Sequence, residues 1–134
     1  MIRILQTIQN KMARAVARVD WTTPTKEVFH QCGWLSVNQL AIYHSILLVY
    51  KVKASKQPKY LSNMFMGTYK YNTRIAQSGL IKLEGRPKLE LTNCSFKWRA
   101  VKQFNQLPME LRNCGTLGVF KSRVKAWITD NIEF

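Results

Sequence analysis

Acidic residues are scarce in this chain. Seven Asp and Glu stand against 21 Lys and Arg among 134 residues, which gives a formal net charge of +14. The few carboxylates are scattered, no Asp–Asp pair occurs, and none has a spacing that suggests a shared site. Metal-dependent polymerases and nucleases need clustered carboxylates to hold divalent ions. We therefore expect no enzyme activity, no metal and no cofactor.

Cysteine, histidine and glycine are also few. The three cysteines, Cys32, Cys94 and Cys114, are far apart and odd in number, which does not favour a disulfide framework. His30 lies near Cys32, but structural zinc sites usually show two such pairs. His44, on the apolar side of a predicted helix, is expected to be a hydrogen-bonded core residue. The six glycines are isolated and form no phosphate-binding loop.

Long apolar runs are absent as well. The longest, residues 40–52, is interrupted by His44, Ser45 and Lys51 and is too short to span a bilayer. The first residues lack the uninterrupted apolar stretch of a signal peptide. We expect an intracellular protein, nuclear or cytoplasmic, without a membrane partner. A hydrophobic content of 46% is sufficient for a core, and the length predicts a single domain over residues 1–134.

Apolar residues recur at three- and four-residue steps, which predicts a mainly α fold, a compact helical bundle. The helix over residues 37–53 is apolar on all sides and is expected to lie at its centre. The sequence of residues 80–84 and 88–92 alternates between apolar and polar, so these segments can pair as one small β-hairpin. Helices are predicted over residues 2–19, 25–30, 37–53, 60–66, 96–106 and 116–131, and a short turn is predicted over residues 109–113.

The positive charge favours a polyanionic partner, above all nucleic acid. The first helix carries a stripe of cations opposite its apolar residues, at a spacing that can follow a phosphate backbone. A solvated helix face is the alternative interpretation of this stripe. Its members are Arg3, Lys11, Arg14 and Arg18.

Two further clusters combine aromatic and basic residues. In the polar segment of residues 67–78, Tyr71 can stack on an unpaired base between Lys70 and Arg74. An ordinary polar loop with Tyr71 packed on the core is the alternative. In the helix over residues 96–106, the cluster opposite the apolar stripe suits single-strand stacking, although a second packing face would use the same residues. This cluster consists of Trp98, Arg99 and Lys102.

Short signatures occur in a fixed order along almost the whole chain. They are residues 5–14 (LQTIQNKMAR), 33–37 (GWLSV), 48–51 (LVYK), 71–74 (YNTR), 95–96 (SF), 104–112 (FNQLPMELR) and 120–121 (FK). In order and spacing this series resembles the far C-terminal end of reverse transcriptases from LINE-type (non-LTR) retrotransposons of the jockey-like and chicken-repeat-like lineages. The resemblance implies a helical region close to and beyond the polymerase thumb.

That resemblance also carries expectations about function. The catalytic aspartates of the RNA-directed DNA polymerase have no matching positions here. The matching basic positions, Lys11, Arg14, Arg74 and Lys121, are expected to contact nucleic acid. The implied function is a non-catalytic domain that binds RNA or an RNA–DNA duplex mainly through phosphates. A domesticated structural or protein-interaction subunit of a larger assembly is the alternative.

Overall fold

The computed structural model describes residues 1–65, 73–83 and 88–134, and over these residues the chain is mainly α, with no strand. The predicted fold class is thereby confirmed, and most predicted helices agree with the observed ones to within two residues. The helices are α1 (Ile2–Ala17), α2 (Thr25–Cys32), α3 (Val37–Ser55), α4 (Lys59–Phe65), α5 (Arg74–Gln77), α6 (Glu90–Asn93), α7 (Phe96–Asn105), α8 (Met109–Arg112) and α9 (Leu117–Asn131).

The chain divides into two compact units. Unit 1 comprises Met1–Ala41 and Ala126–Phe134, and unit 2 comprises Ile42–Lys125. The boundaries fall inside α3 and inside α9. Each unit is described by itself.

In unit 1, α1 and α2 pack through a small core. Ala13 of α1 is completely buried with Val28 and Phe29 of α2. A small residue at position 13 lets the two helices approach closely. Helix α1 ends at Arg18, which adopts the left-handed conformation (φ 53°) and donates its backbone N–H to Arg14 O. Phe29 also meets Phe134 edge to face, with ring centroids 4.8 Å apart.

The hydrophobic core of unit 2 is built around the α3 residues that belong to it. Ile46, Val49 and Val52 are fully buried, as expected for a central helix. The Tyr50 ring stacks on Phe120 at a centroid distance of 3.9 Å, and the Tyr50 hydroxyl donates to Cys114 O at 2.7 Å. Burial raises the pKa of Tyr50, with a smaller contribution from Cys114, which favours the protonated, hydrogen-bonding form.

A short segment of unit 2, residues 78–81, is held by side chains from three helices. Arg112 Nε donates to Ser78 O at 3.1 Å, and Lys53 Nζ donates to Gly79 O at 3.0 Å. Asn105 makes two bonds to the backbone of Ile81, each of 3.0 Å. These bonds satisfy polar backbone groups in a segment that is neither helix nor strand.

Two expectations from the sequence are wrong. The segment predicted as the second hairpin strand instead contains most of α6, which is closed by the bond from Cys94 N to Glu90 O. Leu89, just before α6, and Leu91, within it, are exposed. Alternation of apolar and polar residues therefore did not produce a strand over residues 88–92. Residue 84, the end of the first predicted strand, and the predicted turn of residues 85–87 lie outside the described residues. His44 is exposed and packs edge to face on Tyr43, because its position on α3 points away from the buried side.

Within the described residues, no single helix is both long and apolar enough to cross a membrane. Among these residues, α2 and α3 reach that length and apolar composition when they are taken together as a pair bent by 41°.

Candidate nucleic-acid interface

Helix α7 positions the aromatic and basic cluster that the sequence indicates. It begins after Ser95, whose extended backbone (φ −65°, ψ 150°) starts the helix and whose carbonyl accepts the Arg99 N–H at 3.1 Å. Ala100, Val101 and Phe104 are fully buried and fix the rotation of the helix about its axis. Because helical residues advance by about 100° each, Trp98 and Lys102 then share the outward side.

That outward side forms one wall of an open groove in unit 2. The groove has a volume of about 690 Å³, which lies within the roughly 300–1,000 Å³ that is typical of ligand pockets. Trp98 is half-buried and Lys102 is exposed, so part of the Trp98 side chain packs against the protein while the Lys102 ammonium remains in solvent. The lining residues are Leu83, Glu90, Cys94, Trp98, Val101, Lys102, Asn105 and Gln106.

The groove offers the chemistry that binds an unpaired nucleotide. A tryptophan ring provides a surface for base stacking, and a neighbouring cation can meet the phosphate. The exposed Gln106 carries an amide that can bond a base edge, whereas the Asn105 amide already bonds Ile81. Glu90 repels phosphate but can accept a bond from an exocyclic amine. With these groups the groove can accept one base, with its phosphate near Lys102.

The other predicted residues of unit 2 that the structure describes do not line this groove. Arg99 is exposed on α7 but lies outside the lining. Arg74 is exposed at the start of α5, and Lys121 is exposed on α9. Lys70 and Tyr71 lie outside the described residues. Among the described members of this set, the structure brings Trp98 and Lys102 together in the groove.

In unit 1, the predicted basic stripe separates into two kinds of residue. Arg3, Lys11 and Arg18 are exposed. Arg14 is half-buried, and its Nη2 donates to Thr23 O at 3.2 Å and to Thr25 Oγ1 at 2.9 Å. These bonds hold the turn between α1 and α2, so the Arg14 guanidinium has a structural role in addition to any phosphate contact.

Sequence reasoning missed several groove residues. Asn105 follows Trp98 by seven positions, two helical turns, so helical spacing alone could have added it to the cluster. Leu83, Glu90 and Cys94 come from segments outside α7, and their arrival at the groove depends on the tertiary fold.

A second, smaller cleft of about 300 Å³ in unit 2 is lined by Lys53 and Arg112. Lys53 donates to Gly79 O, and Arg112 donates to Ser78 O and to Asn105 O.

Among the described residues, no three His, Cys, Asp or Glu side chains converge as metal ligands would. Comparison of the chain with protein-family models, with curated proteins and with solved structures finds no match.

Proposed function

We propose that this chain is a non-catalytic nucleic-acid-binding domain, derived from the reverse transcriptase of a non-LTR retrotransposon. It contacts RNA or an RNA–DNA duplex mainly through phosphates and stacks an unpaired base in the α7 groove. The family part of this proposal is supported by the ordered signatures between residues 5 and 121. The binding part is supported by charge and by the groove.

The observation that carries the proposal is the pairing of Trp98 with Lys102 on one wall of an open groove. A half-buried indole is held in place before a ligand arrives, so little conformational freedom is lost when a base stacks on it. Stacking on an aromatic side chain tolerates any base, which suits binding without strong sequence preference.

Charge supplies the second contribution. A net charge of +14 attracts a polyanion over the whole surface. Arg3, Lys11 and Arg18 are exposed on or at the end of a helix that contains no Asp or Glu. Phosphate contacts made by such cations release counterions, so binding should weaken steeply as salt rises.

The test is fluorescence anisotropy of labelled single-stranded RNA, duplex DNA and an RNA–DNA hybrid, titrated with the purified chain over a range of salt concentrations. Micromolar or tighter binding, with a steep fall in affinity as salt rises, is the expected result. An absence of binding even at low salt would refute the proposed function.

Cys94 provides a direct probe of the groove, because it is exposed and lines it. Bound single-stranded RNA should slow alkylation of Cys94, as followed by mass spectrometry, while the rate at Cys114 serves as the internal reference. Equal rates with and without saturating RNA would place the nucleic acid elsewhere on the protein.

A second candidate function is a structural or protein-interaction subunit of a larger assembly. One observation favours it: the apolar side of α1 is exposed. A charged nucleic-acid backbone would not bury these apolar side chains, whereas a protein surface would. A protein interface of this kind should respond much less to salt than phosphate binding does.

A further inference from the structure

Helix α1 exposes the side that an amphipathic helix normally buries. We call this side the α1 apolar face; its side chains are between 48% and 66% exposed. They lie within an arc of about 120° around the helix, and contiguous apolar surface of this kind marks an interaction site. The face consists of Ile4, Leu5, Ile8, Met12 and Val16.

The opposite side of α1 shows that this orientation is specified. Gln9 Nε2 donates to Leu35 O at 2.9 Å, and Gln6 Oε1 accepts the Val37 N–H at 2.9 Å. Gln6 also donates to Asn10 Oδ1, and Ala13 is completely buried. Rotating the helix to bury its apolar face would break these bonds and remove Ala13 from its position against α2.

The spacing along the face fits another helix. Leu5, Ile8 and Met12 follow steps of three and four, which are the a, d and a positions of a heptad repeat, and the exposed Ala15 takes the next d position. The helix is about 24 Å long, which gives slightly more than two heptads. A helix laid alongside would insert its side chains between Leu5, Ile8 and Met12. A lipid surface would not require this spacing.

Charge defines the partner further. Lys11 is exposed along one edge of the face, and Arg18, seven residues later, is exposed where the helix ends. Helix α1 has no acidic residue that could offset them, and the whole chain carries +14. A second copy would bring like charges together, whereas a helix with carboxylates along its edge would neutralise them.

We propose that the α1 apolar face is a docking site for an acidic amphipathic helix of a partner protein. The helix packs its leucine-type side chains against Leu5, Ile8 and Met12, and its carboxylates meet Lys11 and Arg18. This proposal rests on the second candidate function and is independent of the α7 groove.

The probe is a labelled 21-residue synthetic helix with Leu at positions a and d and Glu at positions e and g. A matched peptide with Lys at e and g is the control, and like charges oppose self-pairing of either peptide. Anisotropy titrations with the wild-type chain should show binding of the acidic peptide that is at least about tenfold tighter than binding of the basic one.

Variants locate the contact. Ile8→Ala with Met12→Ala keeps helix propensity but removes apolar bulk, and it should weaken peptide binding by about tenfold or more. Val119→Ala, a matched change at an exposed apolar residue of α9, should leave binding unchanged. Lys11→Glu should reverse the preference between the two peptides. Circular dichroism verifies that each variant remains helical.

Each contrary outcome overturns the proposal in a recognisable way. Equal binding of both peptides contradicts the charge matching. Self-association of the chain in sedimentation equilibrium, abolished by the Ile8/Met12 double substitution, assigns the face to a second copy. Binding to vesicles that contain phosphatidylserine, without peptide binding, assigns it to lipid. No binding at all refutes a docking site. RNA affinity, measured on the same double variant, should stay at the wild-type value and tests the α7 groove separately.

Discussion

The Asn105 side chain bonds both backbone groups of Ile81. Its Oδ1 accepts the Ile81 N–H at 3.0 Å, and its Nδ2 donates to Ile81 O at 3.0 Å. The Asn105 amide thus bonds the backbone of Ile81 as a neighbouring strand would. The same residue lines the groove beside Trp98, so the bond that fixes Ile81 also fixes one wall of the candidate site.

Replacing Asn105 by Ala should therefore destabilise unit 2. Ile81 is buried, and its N–H and C=O would both lose their partner. We expect the free energy of unfolding to fall by about 1–3 kcal/mol, measured by urea denaturation. Asn38→Ala, at an exposed position of α3, is the control and should cost nothing. Equal stability of the two variants would mean that the Ile81 bonds contribute little.

Gly79 is expected to resist substitution. Its φ is +74°, and a Cβ atom there would collide with the Asn113 side chain. Gly79→Ala should lower the free energy of unfolding by about 1–3 kcal/mol. Gly115→Ala is the matched control, because a Cβ at Gly115 meets open space and its φ lies outside the left-handed region. If both variants unfold at the same urea concentration, the conformation of Gly79 does not constrain the sequence.

Lys53 should make stability depend on pH. Burial lowers the pKa of its ammonium, and the nearby Arg112 lowers it further. Between this lowered pKa and the ordinary value of 10.5, the unfolded chain binds more protons than the folded one, so the contribution of Lys53 to stability rises with pH. The free energy of unfolding of the wild type, relative to Lys53→Met, should therefore increase from pH 8 to pH 10.

The control for this titration is Lys51→Met, which removes an exposed charge from the same helix. The other groups that titrate between pH 8 and pH 10 are common to the wild type and both variants. Their contributions therefore cancel when the free energies of unfolding are subtracted. If the difference in free energy of unfolding between the wild type and Lys53→Met stays constant with pH, or falls, then the surroundings of Lys53 do not disfavour its charged form.

Much of the helical framework could be predicted from the sequence, because apolar spacing and helix ends are local signals. The start of α7 after Ser95 and the extent of α3 are examples. The strand expected over residues 88–92 failed, since alternation predicts a strand only when another strand is available. His44 was misplaced because α3 is apolar around most of its circumference, so spacing does not reveal which side meets solvent.

The site was only partly predictable, because helical spacing is a local signal and tertiary contacts are not. Trp98 and Lys102 follow from helical spacing on α7, but Leu83 and Glu90 reach the groove through the fold of separate segments. The exposure of the α1 apolar face could not be read from spacing at all. It depends on Gln6 and Gln9 finding backbone partners at Leu35 and Val37, which are distant in sequence.

Lys102 should contribute to nucleic-acid binding through charge. Its replacement by Ala should reduce the slope of log affinity against log salt by about 0.7 on single-stranded RNA, the value expected for one phosphate contact. Lys51→Ala, another exposed helical lysine outside the groove, serves as the matched control and should change the slope less. An unchanged slope for Lys102→Ala would mean that no phosphate lies at this end of the groove.

The most direct measurement of the central claim compares two tryptophan variants in single-stranded RNA binding. Trp98→Ala removes the stacking surface and should weaken binding by about 1–3 kcal/mol, or roughly 5- to 150-fold in Kd, with the salt slope unchanged. Trp21 is 80% exposed and lies outside the groove, so Trp21→Ala should bind as the wild type does. If Trp98→Ala folds and binds RNA as tightly as Trp21→Ala, the α7 groove is not where the nucleic acid binds.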